Sequence, residues 1–301
     1  MNGIINVLKP TGMTSHDVVG YIRRTINFKK VGHTGTLDPN AAGVLPICIG
    51  KATKVSQYLL DKRKVYRGEL TLGKSTDTQD RYGKAIDTSD RKVEDSEIIE
   101  VFKQFNGKIK QTPPMYSAVK HKGKRLYELA RKGEVVEREP REVEIYKLDI
   151  ITIDNNRILF DAECSKGTYI RTLCNDIGER LGTYGYMSFL IRTQVDNFTL
   201  DNSMTLDEIK EFYESDRLKD KIIPMDFALT HFPSINLPQI AFKTIINGGK
   251  IPIEKLKDMK VPIIRDIKLR VYCDNEFIGI GKIVNYKNDI VLRMEKVLYQ
   301  R

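Results

Sequence analysis

"VGHTGTLDPNAAGVLPI", residues 31–47, is the stretch on which the reading of this chain turns. It holds a single acid, Asp38, between Leu37 and Pro39 and among glycines, threonines and His33. Gly32, Gly35 and Gly43 break any period, so most of the segment reads as a loop. "VLPICIG" behind it has the short, unbroken apolar run of a buried strand. An aspartate before a proline ordinarily makes a turn or caps a helix. Whatever else Asp38 does depends on what the rest of the chain offers it.

Upstream, "GIINVLKP" reads as a strand, and Ser15 is placed to cap a helix through "HDVVGYIRRTIN". Val18, Val19, Ile22 and Ile26 keep helical spacing there, with Asp17 early and Arg23 and Arg24 late. Downstream come a short helix ("ATKVSQYLL"), a strand ("VYRGELTLG") and the polar turn "STDTQDRYG". Ile98, Ile99, Phe102 and Phe105 give an amphipathic helix closed by Gly107. Residues 108–133, "KIKQTPPMYSAVKHKGKRLYELARKG", are rich in Lys and Arg and hold one acid, Glu128. They are expected to form a basic, partly mobile arm with a short helix at its end. "EVEIYKLDIITI" and "RILFDAEC" read as strands paired around "DNN". "SKGTYIRTLCNDIGERLG" is a turn leading into a helix, followed by the strand "MSFLIRTQV" and the polar helix "TLDEIKEFYE". From about residue 235 a short helix and several short strands ("KLRVYCD", "FIGIGKIV", "IVLRMEKV") suggest a small β-rich domain.

Composition narrows the function. The 301 residues are 41% hydrophobic and 30% charged, which describes a globular chain long enough for two domains. Net charge is +10, and residues 234–301 hold 13 Lys/Arg against 7 Asp/Glu, so most of the excess sits in the last quarter. That distribution points to a polyanionic partner. The four cysteines and four histidines are scattered, with neither a zinc spacing nor a disulfide framework. The start of the chain lacks a signal peptide's apolar core, and no run approaches membrane-spanning length. A reduced, cytoplasmic setting is expected. "GVLPICIGKAT" is no phosphate loop, because six residues separate Gly43 from Gly50 and Ala52 follows Lys51. If chemistry occurs, side chains must carry it.

Three further stretches bear on Asp38: "KVYRG" with Tyr66, "SKGTYIRT" with Tyr169 and Arg171, and "SFLIRT" with Leu190. Together with "LKPTGMTSHDVV", "GHTGTLDPNAAGVLPICIGKATK", "VYRGELTLGKSTDTQD" and "QTPPMYSAVKHKGKRLYELAR", they make the chain resemble the bacterial-type tRNA pseudouridine synthases of the TruB family. The likeness covers most of the first 230 residues in order. Thr36 stands where the family commonly has alanine.

The resemblance implies an α+β fold: a catalytic domain on a mixed, largely antiparallel sheet over residues 1–233, and a small PUA-like RNA-binding domain over 234–301. It implies isomerisation of uridine 55 in the T-loop of tRNA; no cofactor, membrane or protein partner is expected, and nothing in the sequence requires more than a monomer. Asp38 would be the nucleophile, Arg171 its ion-pair partner and Tyr66 a ring stacked on the target base. Tyr169 and Leu190 would line the pocket, and His33 would fill the gap left by the flipped nucleotide. Lys9 and Pro10 would brace the loop, with Lys9 also counted among the substrate-binding residues. The chemistry agrees with these roles. Moving a base from an N1–C1′ to a C5–C1′ bond oxidises nothing and loses no atom, so it calls for a transient covalent nucleophile rather than a cofactor. A carboxylate shielded from water tends to protonate, and a neighbouring guanidinium opposes that. The C5 proton must finally leave, with Tyr66 a candidate to accept it directly or through water.

Overall fold

A computed structural model of the chain describes residues 1–256, 266–287 and 289–299. Nine strands make the central sheet: β1 (Gly3–Lys9), β2 (Val31–His33), β3 (Ala42–Ile49), β4 (Lys64–Leu72), β5 (Gly107–Gln111), β6 (Arg141–Asp154), β7 (Arg157–Cys164), β8 (Gly185–Val195) and β9 (Phe198–Thr199). They run in the order β1-β3-β8-β4-β7-β6-β5, with β2 paired to β3 and β9 to β8. Every pairing is antiparallel except β3 with β8, where Ile191 meets Ala42 and Arg192 meets Gly43. The mixed, largely antiparallel α+β architecture expected from the sequence is therefore present.

One edge of β3 belongs to β1 throughout, while the other pairs with β2 at residues 47–49 and with β8 at residues 42–43. The Asp38 loop, 34–41, leaves from the wedge where β3 changes partner. The close approach at its end requires Gly43: φ is +120°, and a Cβ there would stand 2.2 Å from the Arg192 carbonyl oxygen.

The helices are α1 (Ser15–Thr25), α2 (Ser56–Leu60), α3 (Asp95–Gln104), α4 (Leu126–Ala130), α5 (Ile170–Arg180), α6 (Leu206–Glu214) and α7 (Phe242–Ile246). On one part of the sheet, Ile98 and Phe102 of α3 and Leu173 and Ile177 of α5 pack with Leu70, Ile158 and Phe160. At the other end Val18, Val19 and Ile22 of α1 and Ile209 of α6 cover Ile5, Val7, Leu45 and Ile47. Val44 and Cys48 of β3 point the opposite way, into a third cluster with Val195, Phe198 and Leu229. Burial on both faces explains why "VLPICI" is apolar without alternation.

Among the described residues five strands make a second sheet: β10 (Ser234–Leu237), β11 (Lys250–Pro252), β12 (Lys268–Cys273), β13 (Glu276–Tyr286) and β14 (Asp289–Val297), in the order β10-β12-β13-β14-β11. Its Ile280, together with Leu298, joins the cluster that holds Val44 and Cys48. Beside them the Tyr58 hydroxyl donates to Glu295 at 3.1 Å. Of the basic excess in this region, Lys257, Lys260, Arg265 and Arg301 lie outside the described residues.

Two local expectations are corrected. The cap of α1 is Thr14, not Ser15: Thr14 Oγ1 accepts the Asp17 N–H and the Asp17 carboxylate accepts the Thr14 N–H, a reciprocal capping box. The basic segment is also not one arm from residue 108, since Gly107–Gln111 pairs with β6 as the edge strand of the sheet. The projecting part begins after Gln111. It has its own small apolar cluster of Met115, Leu126 and Leu129.

Candidate active site

Arg171 and Asp38, 133 positions apart, meet: Arg171 Nε lies 2.8 Å from Asp38 Oδ2, and Nη2 donates to Oδ1 at 3.3 Å. The guanidinium therefore faces both carboxylate oxygens, although only the Nη2 contact is aligned as a hydrogen bond. The side chain of Arg171 is 5% exposed and that of Asp38 37%, so the base of the pair is buried while the carboxylate opens outward. The remaining Arg171 donors are committed to the protein: Nη1 donates to the Thr78 carbonyl at 3.1 Å and Nη2 to the Tyr116 carbonyl at 3.0 Å. Asp80, which the sequence reading passed over, stands 3.8 Å from Nη1. It is held by its own turn, accepting at Oδ1 from Thr78 Oγ1 and the Tyr82 N–H.

The Asp38 loop is fixed by groups that never reach solvent. Lys9 is fully buried, and its ammonium donates to the carbonyls of Met13, Pro10 and Pro39 at 2.6, 2.7 and 3.0 Å. With all three donors used internally, Lys9 braces the loop, one of the two roles expected for it. Burial pulls its pKa down to about 8; the Asp38 charge opposes that shift and the Arg192 charge adds to it. Ser15, displaced from its expected capping role, accepts the Leu37 N–H at 2.9 Å and so ties α1 to the residue before Asp38.

Arg192 does the same from the sheet. The residue is 1% exposed, and its guanidinium donates to the carbonyls of Val44, Thr36 and Gly35 at 2.8, 3.3 and 3.4 Å. Among the described residues no acid pairs with it. A buried guanidinium without an acidic partner is costly, and its placement between the loop and Tyr66, with whose side chain it also hydrogen-bonds, gives it a positional use. The signal for it was a lone cation inside the apolar run "SFLIRT".

Tyr66 lies on β4 opposite Arg192 and is buried with Leu37, Ala41 and Leu190 in one cluster. Burial raises its phenol pKa, while the nearby Arg192 works against the rise. His33 ends β2, half-buried, and its Nδ1 accepts the Gly35 N–H at 3.2 Å. Burial and then the Arg192 charge lower its pKa, which leaves the ring neutral at pH 7. Tyr169 occupies the N-cap of α5, where its backbone is gripped by the side chain of Gln111, another residue the sequence reading passed over. Thus Asp38 and Arg171 meet directly, Tyr66 lies near enough to feel the Asp38 charge, Leu190 shares the apolar cluster of Tyr66, and His33 belongs to the strand that leads into the Asp38 loop. Among the described residues no cluster of His, Cys, Asp and Glu could hold a metal ion.

The chain is similar to the TruB family pseudouridylate synthase N-terminal domain over residues 23–170, and to the tRNA pseudouridylate synthase B C-terminal domain over residues 171–230. A tRNA pseudouridine synthase B from Alkaliphilus oremlandii (strain OhILAs) is 48% identical, covering 100% of both chains. Another from Clostridioides difficile (strain 630) is 46% identical over 99% of each. Among solved structures, an H/ACA RNP bound to a substrate RNA containing 2′-deoxyuridine matches with a TM-score of 0.76 and 27% identity, over 99% of this chain and 86% of that one. A Cbf5-Nop10-Gar1 complex matches with the same TM-score at 30% identity, over 99% and 85%. Fold and likeness together define an enzyme of the pseudouridine synthase class. Within that class, the chain belongs to the TruB family.

Proposed function

We propose that the protein isomerises uridine 55 in the T-loop of tRNA to pseudouridine, with Asp38 as the covalent nucleophile. The observation that carries this reading is the Asp38–Arg171 pair: a carboxylate open to solvent on one side and contacted at both oxygens by a buried guanidinium. Relatives named tRNA pseudouridine synthase B, matching along the full chain, support the substrate.

In this reading the target nucleotide is turned out of the RNA stack at a cost of roughly a few kcal/mol. Stacking on Tyr66 against the Leu190 wall, with Tyr169 lining the pocket and His33 filling the gap, offsets that cost. A neutral imidazole suits the last role, since it enters the stack without a charge to desolvate. Asp38 then bonds to the substrate while the N1–C1′ bond breaks. The base turns, C5 bonds to C1′, the Asp38 bond is released, the C5 proton leaves and N1, freed from C1′, takes up a proton in its place. The elements balance within the nucleoside, so no cofactor takes part. Tyr66 enters as a neutral phenol, which suits stacking and makes it a relay towards water more than a base in its own right.

Residues 1–233 are the catalytic unit in this proposal and 234–301 a PUA-like RNA-binding unit, with the exposed basic arm after Gln111 gripping phosphates. The reaction belongs to the cytoplasm, where tRNA is found; among the described residues no helix is long and apolar enough to cross a membrane.

The test is conversion of unmodified tRNA, with the modified position mapped by carbodiimide labelling. Wild type should convert position 55, and also an isolated T-arm hairpin without any guide RNA. Asp38→Asn should bind tRNA and leave it unconverted. Substantial turnover by that variant removes Asp38 from its role, and a strict need for a guide RNA removes the assigned substrate.

A further inference from the structure

Arg171 must arrive at Asp38 in one orientation, yet the residue that begins its helix has no means of holding itself. Tyr169 is the N-cap of α5, and its side chain makes no capping bond. A phenol ring cannot fold back onto the helix amides as Ser, Thr, Asp or Asn would. The backbone of Tyr169 is held from outside instead. Gln111 Oε1 accepts its N–H at 2.8 Å, and Gln111 Nε2 donates to its carbonyl at 3.0 Å. That carbonyl also accepts the Leu173 N–H at 3.0 Å, an opening bond of α5. One carboxamide therefore reproduces the two bonds of a neighbouring strand at the point where the helix starts, two residues before Arg171. Only one orientation of the amide satisfies both partners.

Gln111 is itself immobile. It is 2% exposed and closes β5 opposite Arg141, so the arm leaves the sheet at Gln111 and returns at its cross-strand partner. Five residues beyond Gln111, the Tyr116 carbonyl receives the second bond of Arg171 Nη2. The root of the arm thus holds the guanidinium at its helix and at its tip.

The geometry points to Gln111 as the positioning residue for the reaction: its carboxamide fixes the first turn of α5 and thereby aims Arg171 at Asp38. The inference rests on the function proposed above. Its physical basis is that a displacement of about 1 Å in a reacting group can cost on the order of a hundredfold in rate.

Two substitutions separate aiming from filling space. Gln111→Met keeps the volume and loses both bonds. Gln111→Glu keeps an acceptor for the Tyr169 N–H but sets an oxygen against the Tyr169 carbonyl. Both should slow single-turnover conversion at saturating tRNA by about tenfold or more, with tRNA affinity within about twofold of wild type. In an Arg171→Lys background, Gln111→Met should add less than about twofold, because the two residues act through one contact. Amide hydrogen exchange at Tyr169 should quicken in Gln111→Met, and this readout holds whether or not tRNA is converted. Exchange at the wild-type rate, a Gln111→Met enzyme within twofold of wild type, or losses that multiply with Arg171→Lys would each overturn the proposal. A wild-type protein that converts no tRNA would count instead against the assigned function.

Discussion

The loop that carries Asp38 and the arm that follows Gln111 both touch Arg171, yet they are held in opposite ways. The loop rests on buried polar groups: Lys9 on the Pro39 carbonyl, Ser15 on the Leu37 N–H and Arg192 on the carbonyls of Gly35, Thr36 and Val44. The side chains that make these contacts are buried, so one left without its partner is unsatisfied at a cost of about 1–3 kcal/mol, and more for a charge. The arm rests on Met115, Leu126 and Leu129, with two-residue strands at Lys120–His121 and Lys124–Arg125 and its lysines in solvent. A few apolar contacts resist displacement weakly. The difference teaches that this enzyme places precision in captured backbone carbonyls, and adaptability in a lightly packed basic projection.

That contrast can be broken from either side. The largest effect is expected at the shared guanidinium. Arg171→Lys should lower kcat by about a hundredfold or more while tRNA still binds, because an ammonium cannot face both carboxylate oxygens and two carbonyls at once. Near-normal single-turnover rates would separate catalysis from the pair. A smaller effect is expected on the arm. Replacing Lys120, Lys122 and Lys124 together by Ala should weaken tRNA binding several-fold and make the plot of log affinity against log salt shallower by about two. The rate at saturation should hardly change; a fall in kcat matching the fall in affinity would mean that the arm also shapes the site.

A third effect, on stability and not on turnover, is a pH signature of the loop's brace. The Lys9 pKa falls from 10.5 to about 8 on folding. Between those values the unfolded chain holds a proton that the folded one has released, so stability gains from this group as pH rises through the window and is flat below it. Measured by denaturant unfolding, wild type should gain on Lys9→Met between about pH 8 and 10.5. A constant difference between the two across that range would show that the brace does not titrate there.

How much of this was legible in the sequence follows from the kind of bond each residue makes. Asp38, Arg171 and Tyr66 stand in short stretches whose composition and order mark them, and they fall around one locus. Gln111 and Arg192 lay inside quoted stretches without attracting notice. Their work is on backbone groups at Tyr169 and at residues 35–44; Gln111 leaves no pattern in its own neighbourhood, and Arg192 leaves only the oddity of a cation in an apolar strand, which does not name its partners. Asp80 was hidden in the same way, in a turn that reads as polar surface. The strand Gly107–Gln111 escaped because only Ile109 of "GKIKQ" is a strong hydrophobe, and an edge strand with lysines resembles a basic loop. The Thr14 cap was missed by one residue because Thr and Ser are both good caps, and only the reciprocal bond from Asp17 distinguishes them.

The separation of Asp38 from Arg171 along the chain has a consequence for how the enzyme comes into being. Their contact closes 133 residues of sequence and needs β3, β8 and α5 already in register around it. Contacts of such long range form late and slowly, because the entropy of closing the intervening chain must be met first. A nascent or half-refolded molecule can therefore display basic surface before the Asp38–Arg171 pair has formed. Recovery of activity after dilution from denaturant should accordingly trail the recovery of RNA binding.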